Sequence, residues 1–325
     1  MIAVRQSSIK LWRRCRQAYY YKEVEGIEKK ITPIALKRGT ILHKCIEAYY
    51  KGKDWRQVIF EFKKEYDKLM VEEKEYYGDL PQECHRIMTG YVQLYGKLKE
   101  KPLAVELKFT DVLVSGILLE GKIDLILEDE KGTWLTEHKS HKKLPSESDR
   151  LLDLQTVIYV LVAEKLGYKI NGVLWDYLRT KPPTVPEVLA SGKGISKNKR
   201  IDTDYDTYLK AILDNGFNPA DYAEQLERAR NNPFYLRRYM PKSKRVIEGL
   251  FRELKTTVLE MEKLKMFPYR NINKMVCRGC QYRSLCEAEL LGLDASLIRK
   301  SEYKKVEKVE KGGEVIGEEE EDDDI

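Results

Sequence analysis

Three residues have types and a spacing that suit metal-assisted hydrolysis. Asp124 lies in one run of β-branched and aliphatic residues, and Glu137 and Lys139 lie in the next. If Asp129 to Gly132 form the turn between these runs, the hairpin register sets Asp124 directly across from Glu137, with their Cβ atoms about 4.5–5.5 Å apart. Lys139, two residues after Glu137, then emerges from the same face of the hairpin.

Two bare carboxylates at this distance repel each other, so a compensating cation is expected. Oxygen ligands favour Mg²⁺ or Mn²⁺, and Lys139 beside the ion could hold an attacking water or stabilise negative charge in the transition state. Two alternatives stay open. Asp124 and Glu137 could be solvated residues of an exposed strand face with Lys139 as an ion-pair partner, or a bulge at Gly132 could shift the register by one residue. Apolar residues on both faces favour burial of the charges, which then need partners.

The elements around these residues predict a mixed α/β core. Aliphatic runs within residues 105–139, separated by turn signals, predict three strands. A helix over 151–165, with Ser146 or Ser148 as its N-cap, and a strand over 172–179 follow. Strands and a helix in this order are typical of a mixed sheet flanked by helices.

Helices are also predicted on both sides of this core. Apolar residues at three- and four-residue steps predict helices over 36–51, 55–69 and 82–99, the second capped by Asp54. Residues 181–200, rich in Pro, Gly, Ser and Lys, predict a surface insertion. Further helices are predicted over about 219–230, with Asn218 as N-cap, and over 246–264.

The motif order resembles the PD-(D/E)XK nuclease superfamily, specifically its RecB-like exonuclease branch. Gly-x-x-Asp124 and Glu137-x-Lys139 on the hairpin are followed by Gln155-x-x-x-Tyr159 on the next helix. Ile123 stands before Asp124 in place of the proline in the superfamily's name. This departure is common in the RecB-like branch.

Two upstream elements extend the resemblance. The branch typically adds a histidine on a helix in a Gly-x-x-x-His setting, and Gly39-Thr-Ile-Leu-His43 matches it. It also tends to have a glutamate on the strand before the hairpin, for which Glu106 is the candidate. The resemblance covers about residues 7–290 and leaves out the insertion and the tail.

The resemblance implies a restriction-endonuclease-like core with a helical N-terminal region and a C-terminal cysteine-cluster segment. The implied catalytic residues are Asp124, Glu137, Lys139, Gln155 and Tyr159. The implied metal ligands are His43, Asp124, Glu137 and the backbone carbonyl of His138, with Glu106 as an additional candidate. Without the resemblance, His43, Gln155 and Tyr159 would be interpreted as ordinary packed or surface helix residues.

Four of the six cysteines form a second candidate site. Cys277, Cys280 and Cys286 are separated by two and five residues, and Cys15 is the obvious fourth ligand. This distribution is similar to the iron–sulfur staple of AddB-type and CRISPR-associated RecB-like nucleases, which implies a 4Fe–4S cluster. A Cys₄ zinc site or free thiols are the alternatives. Cys45 and Cys84 are interpreted as buried thiols.

Composition bounds the class of protein. A chain of 325 residues with 42% hydrophobic residues can form a packed core and is neither a disulfide miniprotein nor a fibre. No apolar stretch approaches the roughly 18 residues that span a bilayer. No export signal is visible, so a reducing cytosol, bacterial or phage-infected, is expected.

Charge favours a polyanionic partner. The net charge of +6 becomes +13 without the seven acids of residues 318–324. Basic residues concentrate in and after the insertion, where they could contact DNA phosphates or form a solvated face. The predicted contacts are Lys197, Lys199, Arg200, Arg237, Arg238, Lys244 and Arg245, and Tyr235 and Tyr239 could stack on unpaired bases.

The predicted function is a Mg²⁺- or Mn²⁺-dependent deoxyribonuclease, an exonuclease acting on DNA ends or single strands in recombination, repair or DNA processing. The alternative is a non-catalytic DNA-binding or scaffold subunit that retains the nuclease fold. One nuclease domain is expected over 1–290, followed by a charged tail over 291–325. Its parts are a helical region at about 36–100, a core at 103–180, an insertion at 181–245 and a cysteine segment at 246–290.

Overall fold

The computed structural model describes residues 3–96, 99–141 and 147–306. Two compact units divide the chain: Met1–Ile9 with Thr32–Glu262, and Lys10–Ile31 with Lys263–Ile325. The single domain over 1–290 stays a prediction, and the acidic stretch predicted to be disordered lies outside the described residues. No described helix combines the length and the apolar character that a membrane span needs.

Eight strands occur in the described residues, six of them in one mixed sheet of the first unit. The sheet order is β1-β4-β5-β6-β7, with β3 against β4, and β2 pairs with β8 in the second unit. The strands are β1 (Ala3–Val4), β2 (Ile27–Lys29), β3 (Lys101–Val114), β4 (Ile117–Asp129), β5 (Gly132–His141), β6 (Gly172–Arg179), β7 (Tyr235–Pro241) and β8 (Tyr303–Lys305).

The predicted hairpin register is confirmed. Strands β4 and β5 pair antiparallel from Asp129 opposite Gly132 to Leu125 opposite Thr136. Gly132 has a φ of 127°, which a side chain would disfavour, and it closes the turn without a bulge. The side chains of Asp124 and Glu137 therefore follow directly after the last pair of this ladder.

Strand β4 has an open side beyond this ladder. Its pairs with β5 stop at Leu125, and its parallel pairs with β1 cover only Leu118 and Leu119. Strand β3 pairs with the other side of β4 at Gly121, Lys122, Ile123 and Leu125, and its register shifts at Glu120. Among the described pairs, residues 120–124 thus have a neighbouring strand on one side only.

Helices occur in both units. They are α1 (Gln6–Arg14), α2 (Arg16–Tyr19), a π-helical turn (Tyr20–Val24), α3 (Ile34–Tyr50), α4 (Trp55–Asp67), α5 (Val71–Tyr77), α6 (Leu80–Tyr95), α7 (Glu147–Leu151), α8 (Leu154–Lys165), α9 (Tyr205–Asp214), a 3₁₀ turn (Pro219–Tyr222), α10 (Ala223–Arg230), α11 (Lys244–Leu264), α12 (Lys274–Arg278), α13 (Arg283–Leu290) and α14 (Ser296–Glu302).

Capping residues explain several helix starts. Asp54 accepts a hydrogen bond from the backbone of Arg56, and Asn218 accepts one from Ala220, as predicted. The predicted helix over 151–165 is wrong at its start. Asp153, not Ser148, caps α8 by accepting from the Gln155 backbone at 2.8 Å, and α7 precedes it as a separate helix.

Apolar faces hold the first unit together. Helices α3, α4 and α6 share a core cluster that includes Leu42, Ile87 and Leu178 of β6. The insertion has its own small core, centred on Ile195, Tyr208, Ile212, Tyr222 and Leu226. Residues 235–241, predicted as part of the insertion, instead form β7 and rejoin the sheet beside β6.

The second unit also has its own core. Tyr21, Tyr282, Leu285 and Tyr303 are buried together, with Cys15, Cys280 and Cys286 half-buried against them. The antiparallel pair β2–β8 closes this unit.

Candidate active site

Two acidic residues, one on β3 and one on β4, meet a histidine of α3. Glu106 of β3 lies across from Asp124, since the pairs on either side of them are in regular register. The Nδ1 atom of His43 lies 3.4 Å from Oδ2 of Asp124. One ligand atom from each of His43, Glu106 and Asp124 lies within 4.8 Å of the others. A nitrogen and two carboxylates at this spacing suit one divalent cation.

Glu106 occupies unusual backbone geometry. Its φ is 55°, in the left-handed region that residues other than glycine rarely adopt. Its carboxylate is almost fully buried and pairs with Lys122 of β4. Strain at a buried carboxylate is typical of positions where the surrounding structure fixes a functional group.

Glu137, Lys139 and Gln155 form a closed triangle beside this group. The Lys139 ammonium donates to Oε1 of Glu137 and, at 3.0 Å, to Oε1 of Gln155. The Gln155 amide in turn donates to Oε1 of Glu137 at 2.7 Å. Oε2 of Glu137 is buried and has no hydrogen-bond partner among the described residues. A buried oxygen without a partner is costly unless a ligand satisfies it.

The pKa values in the site reflect this crowding of charge. Burial, followed by the nearby charge of Asp124, raises the pKa of Glu137 to about 8. Burial opposes the charged form of Lys139, but the Glu137 carboxylate outweighs it and raises the lysine pKa. Burial lowers the pKa of His43 and outweighs the attraction of Asp124. A cation would therefore relieve repulsion between Asp124 and Glu137.

Tyr159 borders the same site. Its ring packs edge-on against Phe109 at a centroid distance of 5.9 Å. Burial and then the charges of Glu137 and Asp124 raise the pKa of Tyr159 above its usual range. The phenol therefore stays protonated near neutral pH and can donate a hydrogen bond. Its role in catalysis stays a prediction.

His138 links the site to a buried charge on the neighbouring strand. Its backbone N–H donates to Oδ2 of Asp124 at 3.3 Å, and its Nδ1 lies 3.2 Å from Oδ2 of Asp176. Asp176 is fully buried and also accepts from the Tyr91 hydroxyl at 2.5 Å. Burial raises the pKa of Asp176, but His138 and Arg237 outweigh it and bring the value below the usual range.

Sequence reasoning missed Asp176. The signal was available, because Asp176 is the single charge inside the otherwise apolar run from Gly172 to Leu178. A charge in a buried strand requires a partner.

The structure corrects the role predicted for Arg237. Its guanidinium is only 7% exposed and pairs with Glu100 and Asp176. It is held inside the protein and cannot serve as a surface contact to DNA phosphate. The hydroxyls of Tyr235 and Tyr239 are likewise engaged, with the Ile87 carbonyl and with Asp129.

The other predicted phosphate contacts lie at the surface. Lys199 pairs with Glu224 and Lys244 with Glu248, and these four side chains are well exposed. The Lys197 ammonium donates to the Asp221 carbonyl and lies over the Tyr222 ring. Arg200, Arg238 and Arg245 are exposed as well.

The four predicted cysteine ligands all belong to the second unit, and Cys15, Cys280 and Cys286 border its core. All six cysteines are free thiols, and no three of the described ones bring their sulfurs within 4.8 Å of one another. Burial raises the pKa of Cys280, with Cys15 and Cys286 contributing in the same direction. Arg270 donates to the Cys286 sulfur at 3.2 Å.

Comparisons with known proteins identify the family of the chain. A family model of the PD-(D/E)XK nuclease superfamily matches residues 4–287. Among solved structures, that of a candidate exonuclease from Eubacterium rectale is similar at 10% sequence identity with a TM-score of 0.45. That match covers 85% of this chain and 88% of the other. No curated protein matches the sequence significantly.

Proposed function

The chain belongs to the PD-(D/E)XK nuclease superfamily, and we propose that it is a Mg²⁺- or Mn²⁺-dependent DNA nuclease of the RecB-like exonuclease type. It hydrolyses phosphodiester bonds at DNA ends or in single strands. The observation that carries the proposal is the Glu137–Lys139–Gln155 triangle beside His43, Glu106 and Asp124.

The residues present fit a divalent cation. Glu137 has a buried oxygen without a hydrogen-bond partner, and His43, Glu106 and Asp124 supply three ligand atoms at close spacing. These side chains and the His138 carbonyl would hold the ion. When bound, the ion lowers the pKa of a coordinated water and neutralises charge on the phosphate oxygens.

The remaining residues orient the reaction. Gln155 and Glu137 hold the Lys139 ammonium in one position, from which it can donate to the attacking water or to a phosphate oxygen. Donors held in place before the reaction need no reorganisation as negative charge develops. Tyr159 offers a further neutral donor at the edge of the site.

The test is degradation of labelled single- and double-stranded DNA with and without Mn²⁺ or Mg²⁺. We expect Glu137→Ala to abolish cleavage while DNA still binds, and Lys139→Ala to lower the rate about a hundredfold to a thousandfold. Glu128→Ala is the matched control, because Glu128 is an exposed carboxylate of β4 that pairs with Lys101. Undiminished metal-dependent degradation by Glu137→Ala would contradict this site. DNA binding without cleavage under any metal would favour the scaffold alternative.

We further propose that Cys15, Cys277, Cys280 and Cys286 hold a 4Fe–4S cluster. A tetrahedral zinc ion with sulfur ligands at about 2.3 Å requires all four sulfurs to lie about 3.8 Å apart, whereas no three of the described cysteines bring their sulfurs within 4.8 Å of one another. A four-iron cluster is larger and spreads its thiolates further. Arg270 donates a hydrogen bond to the Cys286 sulfur, and hydrogen bonds to ligand sulfurs tune the reduction potential of such clusters.

Iron, sulfide and zinc analysis of anaerobically purified protein tests the cluster. We expect a brown protein with iron and acid-labile sulfide, and Cys280→Ser should lose both. Cys45→Ala, at a fully buried thiol of the first unit, should retain them. A colourless protein with zinc and no iron would overturn the assignment.

A further inference from the structure

Two lysines face each other across the strands that carry the candidate metal ligands. Lys108 of β3 is the direct cross-strand partner of Lys122 of β4, and both side chains are exposed. Like charges directly opposite each other in a sheet are destabilising. Lys108 forms no ion pair with any residue that the structure describes. Lys122 pairs with Glu106, so the exposed Lys108 ammonium beside it is available to bind an anion.

The lysine pair adjoins the candidate metal site. The Lys122 ammonium contacts the Glu106 carboxylate, which lies within 4.8 Å of the ligand atoms of His43 and Asp124. Lys122 also lies on the stretch of β4 whose second side has no described strand partner. Both lysine side chains are exposed, so a ligand can reach their ammonium groups from solvent.

The separation of Lys122 and Asp124 along β4 indicates which ligand the two lysines can bind. Lys122 precedes Asp124 by two residues, which corresponds to about 6.6 Å along a strand. Neighbouring phosphates of an extended nucleic-acid strand are separated by a similar length. A phosphate at the metal site would thus place the next phosphate of the same strand near the two lysines.

We infer that Lys108 and Lys122 form a subsite for the backbone phosphate adjacent to the scissile one. The inference rests on the proposed nuclease function and adds to it a fixed register of the substrate strand on β4. Glu106 connects the two positions, because it belongs to the metal group and also orients Lys122.

Salt dependence of DNA binding, measured in EDTA by fluorescence anisotropy with a single-stranded oligonucleotide, tests the subsite without catalysis. Lys108→Ala should weaken binding about tenfold and reduce the slope of log K against log salt by about 0.7. Its melting temperature should stay the same or rise, since the repulsion with Lys122 is removed. The matched control is Lys101→Ala, because Lys101 is an exposed lysine of the same strand that faces Glu128.

A neutral linkage locates the phosphate. The bond that the wild-type protein cuts first is mapped, and a methylphosphonate is placed one linkage to its 5′ side or one linkage to its 3′ side. One of these two substrates should raise the wild-type KM about tenfold and leave the KM of Lys108→Ala unchanged.

The outcomes separate this inference from the nuclease proposal. If the wild-type protein cuts no DNA, the nuclease function is contradicted. The binding experiment in EDTA does not depend on cleavage, so it still tests whether the lysines bind phosphate. An unchanged salt slope in Lys108→Ala, or an equal loss in Lys101→Ala, would overturn the subsite. So would a neutral linkage that weakens Lys108→Ala as much as the wild type.

Discussion

At the scale of single residues, the candidate site is already assembled in the polypeptide alone. The Lys139 ammonium is fixed by two acceptors, and Glu137 is fixed by two donors. This arrangement leaves one oxygen of Glu137 without a hydrogen-bond partner. Burial and the nearby charge of Asp124 raise the pKa of Glu137. These hydrogen bonds hold the charged groups where the proposed cation would bind.

Gln155 should act by positioning Lys139. We expect Gln155→Ala to lower the single-turnover cleavage rate about tenfold to a hundredfold, as is typical when a group that orients a catalytic residue is removed. The melting temperature should change little, because the backbone cap from Asp153 is retained. Gln57→Ala, which removes an exposed amide that bonds Glu61, is the control. A wild-type rate in Gln155→Ala would exclude this role.

At the scale of elements, Asp176 joins the strands and helices behind the site. It lies within hydrogen-bonding or ion-pair distance of His138 on β5, Tyr91 on α6 and Arg237 on β7. Arg237 also donates to Tyr50 of α3 at 2.7 Å. The position of His138, and through its backbone that of Asp124, thus depends on a charge on the neighbouring strand.

A double-mutant cycle tests this dependence. Asp176→Asn and His138→Gln should each weaken Mn²⁺ binding about tenfold to a hundredfold by calorimetry, and the double variant should lose little more than either single one. Asp202→Asn is the control, because Asp202 forms an ion pair at the surface with Arg179, which lies on β6 like Asp176. Additive losses, or lower melting temperatures with unchanged Mn²⁺ affinity, would indicate a purely structural role.

Close strand packing gives a prediction on stability. A Cβ atom at Gly172 would lie 2.2 Å from the Met240 carbonyl of β7, so Gly172→Ala should lower the free energy of unfolding by about 2–4 kcal/mol. The same substitution at Gly249, in the middle of α11 with no atom within 4 Å of the added Cβ, should raise it by about 0.5–1 kcal/mol. Chemical denaturation measures both, and effects of the same sign would contradict the packing at β6.

The sequence predicted the core of the fold because that core depends on local patterns. The turn at Asp129 to Gly132 and the alternation around it define the β4–β5 register, and the strand over 172–179 was predicted at the observed boundaries. Strand β7 was missed because its two arginines resemble a solvated face, whereas Arg237 is paired inside. The left-handed backbone of Glu106 and the partners of Asp176 depend on contacts between distant segments, which periodicity does not report.

At the scale of the whole molecule, the two candidate sites belong to different compact units. His43, Glu106, Asp124 and Glu137 lie in the first unit, and the four cysteines proposed as cluster ligands lie in the second. Each unit has a separate hydrophobic core. Loss of the proposed cluster should therefore lower the stability of the second unit before that of the first.

Hydrogen exchange with mass spectrometry tests this separation. Cys280→Ser should increase exchange in residues 10–31 and 263–306, because a bound cluster contributes directly to the folding of the segments that ligate it. Residues 32–262 should keep their protection, and Mn²⁺ affinity should stay within about twofold of wild type. Uniform loss of protection across both units would show that they unfold together.

The connection between β6 and β7 has a consequence for protein engineering. Leu178 pairs with Tyr235, and the Arg179 N–H donates to the Phe234 carbonyl at 2.9 Å. The inserted segment over 180–234 thus leaves and re-enters the sheet at adjacent backbone positions, where a two-residue hairpin turn would also fit. This segment could therefore be deleted or replaced by another loop without redesigning the candidate metal site.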